Sequence, residues 1–222
     1  MLTKGFDIGF KDVDVKQGIV KGQFCAHNIK DLGGDISIYG SLKKTIEERG
    51  PNGKKLIKFC LNHERKGLPG VLKELWEENN GGFYAAKAGS NNAGVDFLKM
   101  VESDIINQHS YGYIEIKTDF DTSLKANILR ELKLLEVSAV EFLGMNPETT
   151  YIEMKSANEW MEYLNRLEKF IRTTDCTDET IQQLELKLHS LTALLKPEIT
   201  TSKDQEAEKI KKLFKTFGNH GH

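Results

Sequence analysis

Three side-chain types that together perform acyl transfer stand at the ends or in the middle of strand-like runs: His63, Ser110 and Glu136. A hydroxyl becomes a nucleophile when an imidazole takes its proton, and the imidazole does so when a carboxylate fixes its tautomer and balances the imidazolium. Ser110 lies in Ile105-Ile-Asn-Gln-His-Ser-Tyr-Gly-Tyr-Ile-Glu-Ile116, where a helical pattern gives way to an alternating, strand-like one. Gly112, two residues on, leaves room for a substrate backbone to approach. Locally this is a weak case, because a serine before a strand is more often a cap or turn residue. His63 closes the buried-strand pattern Leu56-Ile-Lys-Phe-Cys-Leu-Asn-His63, though beside Glu64-Arg-Lys66 a solvated loop histidine is the plainer reading. Glu136 sits in Leu132-Lys-Leu-Leu-Glu-Val-Ser-Ala-Val140, among apolar residues where an unpaired carboxylate would be costly. Ser138, Glu141 and Asp119 are nearby alternatives for the third member, and a buried glutamate can equally satisfy a backbone or arginine partner. His109, if its strand is regular, points to the face opposite Ser110 and reads as structural or lining.

The order histidine, serine, acid differs from those of chymotrypsin-like, subtilisin-like and α/β-hydrolase enzymes. The Gly-x-Ser-x-Gly elbow is absent because Gln108 holds the first glycine position.

Gly94-Val-Asp-Phe-Leu-Lys-Met-Val-Glu-Ser-Asp-Ile-Ile-Asn-Gln-His-Ser-Tyr-Gly-Tyr113 resembles the serine-bearing segment of the tailed-phage prohead maturation proteases, in which a helix leads into a His-Ser-hydrophobic-Gly-aromatic signature. Two further blocks agree in order and spacing: Asn62-His63 with Leu68-Pro-Gly-Val71, and Leu135-Glu-Val-Ser138 with Asn146-Pro-Glu-Thr149. The resemblance spans about residues 17 to 150. Tyr39-Gly-Ser-Leu42 departs from it, keeping only the glycine of a Pro-Gly-Ala-Phe-like run. It implies His63 as base, Ser110 as nucleophile and Glu136 as third member of a serine endopeptidase that cleaves scaffold protein, or the scaffolding segment of the major capsid protein, and itself, within the prohead in the host cytoplasm. It further implies a herpesvirus-assemblin-like β-barrel and a dimer. The rival reading is an inactive assembly or scaffold protein of the same fold; a third, a hydrolase of small esters, leaves the C-terminal helices without a purpose.

Positioning these groups requires a particular set of elements. Residues 17–26 read as a strand and Asp31-Leu-Gly-Gly-Asp35 as a turn; Ser41 is placed to cap a helix over 42–49 that stops at Gly50-Pro51. Strand 55–62 is followed by a hairpin joining 71–76 to 82–87 across Asn79-Asn-Gly-Gly82, with Trp76 and Phe83 as packing residues. Asn92 is placed to cap a helix over 94–102 whose Val95, Leu98 and Val101 repeat at helical spacing. The oxyanion hole would draw on backbone amides of Ala126 to Glu131, with Arg130 assisting or merely salt-bridged. Many short strands with few helices predict an α+β fold, a mainly antiparallel barrel or sandwich with flanking helices and a C-terminal helical tail, which the resemblance narrows to the β-barrel.

After Pro147 the composition changes, dividing a protease domain (1–150) from a helical tail (151–222). Ser156-Ala-Asn-Glu159 is a capping box opening a helix striped by Trp160, Leu164, Leu167 and Ile171. A second helix presents Ile181, Leu184, Leu188, Leu191 and Leu195 and ends at Pro197. The two stripes suit a helical hairpin (156–196) or pairing with another chain. A polar linker (197–206) and a short basic amphipathic end (210–217) follow.

The whole chain has 222 residues, 39% of them hydrophobic and 29% charged, which suits one core plus an appendage. A net charge of -2 gives no argument for nucleic acid. No apolar h-region opens the chain and no run of 18 apolar residues occurs, so neither a signal peptide nor a membrane is expected. The three cysteines, at 25, 60 and 176, read as buried reduced thiols, and no metal or organic cofactor is indicated.

Overall fold

Two hydrogen-bonded sheets, four helices and the core between them make up the computed structural model, which describes residues 12–14, 17–31, 33–140 and 157–195. The first sheet is antiparallel, in the order β1 (Asp12–Asp14), β2 (Ile19–Ala26), β6 (Gly81–Ala88) and β5 (Gly70–Glu78). β5 and β6 form the expected hairpin: Glu78 pairs with Gly81 across Asn79-Asn80, and Trp76 stacks on Phe83 at 5.6 Å.

The second sheet is built on β8 (Ala126–Val140), which is longer than its sequence pattern predicts. One edge of β8 pairs antiparallel along its length with β7 (Gln108–Asp121). The other edge carries two short parallel partners, β3 (Asp35–Ser37) and β4 (Lys58–Leu61). Between those two partners the groups of β8 would be unpaired, and helix α1 (Lys43–Arg49) fills the gap. The Leu132 amide donates to the Ser41 carbonyl at 3.2 Å, the Leu134 amide to Thr45 Oγ1 at 3.0 Å, and Arg49 Nε to the Leu134 carbonyl at 3.4 Å.

These strands do not close into one barrel among the described residues, and two of the pairings are parallel, so the fold is α+β with two facing sheets. The sheets meet through side chains: Phe24 of β2 packs edge-on to Tyr111 of β7 at 5.7 Å, and Phe59 of β4 lies 5.4 Å from Tyr84 of β6. Burial of each such ring contributes on the order of 1.5–3 kcal/mol.

Helix α2 (Asn92–Glu102) leads into β7 as the sequence predicts. Its cap is Asn91 rather than Asn92, with Oδ1 accepting from the Gly94 amide at 3.2 Å, and its buried face is Phe97, Met100 and Val101, leaving Val95 exposed. Ser41 likewise does not cap α1; its hydroxyl bonds to Ser37 Oγ at 2.9 Å.

Helices α3 (Ala157–Thr173) and α4 (Asp178–Leu195) close as a hairpin, and Tyr163, Leu167, Phe170, Cys176 and Leu184 join the main core. Asp96 of α2 receives the Thr177 amide at 3.0 Å and the Thr177 and Thr180 hydroxyls at 2.7 and 2.8 Å. The predicted cap Ser156, the side chains of Trp160 and Leu195, the linker 197–206 and the basic end 210–217 lie outside the described residues. Among those described, no helix is long and apolar enough to cross a membrane.

Candidate active site

β4 ends in a turn that aims His63. The Glu64 amide donates to the Leu61 carbonyl at 2.9 Å, and both central residues are left-handed, Asn62 at φ 51° and His63 at φ 65°. That is the backbone of a type I′ turn, which Asn favours and a histidine tolerates better than most non-glycine residues. The imidazole hangs over β8, where its Nδ1 lies 2.7 Å from Glu136 Oε1.

Glu136 reaches this position through a bulge. Gly112 pairs with Glu136 while Tyr113 pairs with Leu134, so Leu135 is an extra residue in β8. Leu132 and Leu134 before the bulge, and Val137 and Ala139 after it, all enter the core. An even-numbered Glu136 would have followed Leu134 inward; the inserted residue turns it to the opposite face, with Ser138. Gly112 has the room to allow it: a Cβ there would stand 2.5 Å from Glu136 Oε1. The space read from sequence as clearance for a substrate is clearance for this carboxylate.

Ser110 pairs directly with Ser138 across the β7–β8 ladder, so both hydroxyls project to the face carrying Glu136. Ser138 Oγ donates to Glu136 Oε2 at 2.5 Å and accepts the His63 amide at 3.2 Å. Ser110 Oγ is fully buried and makes no hydrogen bond among the described residues, whereas the His63 side chain is 48% exposed. His63 and Glu136 are therefore joined directly, and Ser110 stands one cross-strand step from the serine that links them. Cys60, the parallel partner of Ser138, is pushed up to about 12 by burial and then by the nearby Glu136 charge, which keeps it a thiol.

His109 faces the other way, as alternation predicts. Its Nδ1 lies 3.1 Å from the Tyr84 hydroxyl, and burial pushes the imidazole down to about 3, so it stays neutral. Arg130 and Asp119 are bonded to each other on the far part of the hairpin. Ala126 to Glu131 begin about 23 Å along the strand from Ser138 at about 3.3 Å per residue, too far to serve Ser110 as oxyanion donors. Glu141 lies outside the described residues. In the sequence Ser138 stands only as an alternative third member; the signal for its actual contacts is its place two residues after Glu136, on the same face of one strand.

A histidine on an acid, with a serine on the adjoining strand, is the partial constellation of a serine hydrolase. The sequence profile of the caudovirus prohead serine proteases matches residues 13–163. The chain belongs to that family. Among solved structures it is similar to the bacteriophage T4 capsid assembly protease gp21, at 16% identity over 55% of this chain and 80% of that one, with a TM-score of 0.43. No curated protein matches it.

Proposed function

We propose that the chain is a serine endopeptidase of capsid maturation in which Ser110 is the nucleophile, His63 the general base and Glu136 the acid that orients it. The single observation that carries this reading is the contact of His63 Nδ1 with Glu136 Oε1 at 2.7 Å, on the sheet face to which Ser110 also points. With Nδ1 engaged, Nε2 takes the Ser110 proton as Oγ attacks a peptide carbonyl, then returns it to the leaving amine. Because Ser110 is buried, a substrate must uncover it before the carbonyl can arrive. The substrates in this reading are the scaffold protein or the scaffolding segment of the major capsid protein, and the chain itself, inside the prohead. The two facing sheets would correspond to an assemblin-like barrel opened along one seam, with residues 1–150 carrying catalysis, 151–222 a helical tail, and a dimer as the working state.

A second reading, an inactive assembly or scaffold protein, is favoured by one observation: Ser110 makes no hydrogen bond to His63. Co-expression with the neighbouring capsid proteins separates the two. Intact masses should show shortened capsid protein, scaffold or protease for the wild type and full-length chains for Ser110→Ala; identical full-length masses in assembled particles would favour the second reading.

A further inference from the structure

We propose that Ser138 is a positioning residue that, by holding Glu136 against the ring, sets the catalytic tautomer of His63, an assignment that rests on the reading of His63, Ser110 and Glu136 as a triad. The hydroxyl is fully buried and closes a ring of hydrogen bonds with two residues: His63 ring to Glu136, Glu136 to Ser138, Ser138 to the His63 amide.

The direction of each bond in the ring follows from what each group can do. A backbone N–H only donates, so Ser138 Oγ accepts from His63. Its own hydrogen is then available for Glu136 Oε2, the acceptor 2.5 Å away. An ionised carboxylate only accepts, and with Oε2 tied to Ser138 it presents Oε1 to the ring, so His63 Nδ1 donates there. The neutral ring therefore carries its proton on Nδ1 and its lone pair on Nε2, the form a general base requires. The opposite tautomer would set the Nδ1 lone pair against a carboxylate oxygen at 2.7 Å. The same hydroxyl also anchors the left-handed turn at Asn62-His63 through the His63 amide. One hydroxyl thus holds both the carboxylate that sets which nitrogen is free and the turn that carries the imidazole. No other described hydroxyl bonds to both the acid and the base.

The test is ring ¹⁵N spectroscopy of the full chain, with His63 identified among the six histidines by its loss in His63→Gln. At a pH where the ring is neutral, the wild type should carry the His63 proton on Nδ1. Ser138→Ala should show a mixture of tautomers and processing slowed about a hundredfold, the scale expected for a misplaced catalytic group, with KM unchanged. Ser138→Thr, which keeps the hydroxyl, should restore both. If Ser138→Ala fails to fold, Ser138→Cys, close in volume but a weak donor, should give the same loss of tautomer preference. A wild-type ¹⁵N pattern in folded Ser138→Ala or Ser138→Cys overturns the assignment while leaving the triad in place, provided that Ser110→Ala still abolishes processing. Processing that survives Ser110→Ala overturns the triad and the assignment with it.

Discussion

At His63 the backbone and the ring answer to the same neighbours, since Glu136 holds one imidazole nitrogen and Ser138 holds the amide. Replacing Glu136 by Gln keeps the volume but removes the charge that balances an imidazolium. Cleavage should fall by on the order of 10⁴-fold, as when the buried acid of a serine protease triad is made an amide; a rate within tenfold of wild type would show that Glu136 is only structural. Gly112→Ala puts a methyl group where the carboxylate now lies. Overpacking of that kind costs about 1–3 kcal/mol, so urea unfolding should show a modest loss of stability, with a much larger loss of cleavage because Glu136 is displaced. The three residue types were legible in the sequence because three motif blocks carry them. Their link was not: the bulge at Leu135 that turns Glu136 outward depends on register with β7, which no local pattern encodes.

Among the elements, β7 is held between two environments, a polar face bearing Ser110 and a core face bearing His109 and Tyr111. β2 approaches so closely that a Cβ on Gly22 would stand 2.6 Å from the His109 ring. Burial lowers His109 from an ordinary 6.5 to about 3, so in this interval the unfolded chain binds a proton that the folded chain refuses. His109 by itself therefore leaves stability unchanged above about 6.5 and lowers it by up to about 1.4 kcal/mol per pH unit between there and about 3, while Asp31, raised by burial to about 6, works in the opposite direction. Because Asp31 is common to both proteins, urea unfolding at pH 7, 6 and 5 should show the wild type losing stability relative to His109→Gln as the pH falls; parallel pH profiles would contradict the buried neutral imidazole. The hairpin, the strand ending at His63 and the helix entering β7 were readable from turn chemistry and periodicity. The parallel pairings of β3 and β4 with β8, and the capping of the gap between them by α1, were not, because they join residues about 80 to 90 positions apart.

For the whole molecule, the C-terminal helices brace α2, the element that leads into the strand bearing Ser110. Burial alone would raise the Asp96 carboxyl, but hydrogen bonds from Thr177 and Thr180 outweigh it and hold the group below its ordinary range. Each hydrogen bond to a charged group contributes roughly 1.5–3 kcal/mol. Asp96→Asn should therefore loosen the α3–α4 hairpin, raising amide exchange across 157–195 and lowering the melting temperature; exchange unchanged from wild type would show that the apolar contacts suffice. The leucine stripes announced two helices in the sequence. Which surface receives them was not announced, because the receiving groups, Asp96 and the core around Phe97, lie some 60 to 80 residues earlier.

The most direct measurement is covalent labelling with a fluorophosphonate, which forms a stable adduct only with an activated serine, located by peptide mass spectrometry. One adduct on Ser110, absent in His63→Ala and in Glu136→Gln, is the predicted result. An adduct on Ser138, or no adduct in a preparation that still processes capsid protein, would contradict the assignment of Ser110 as the nucleophile.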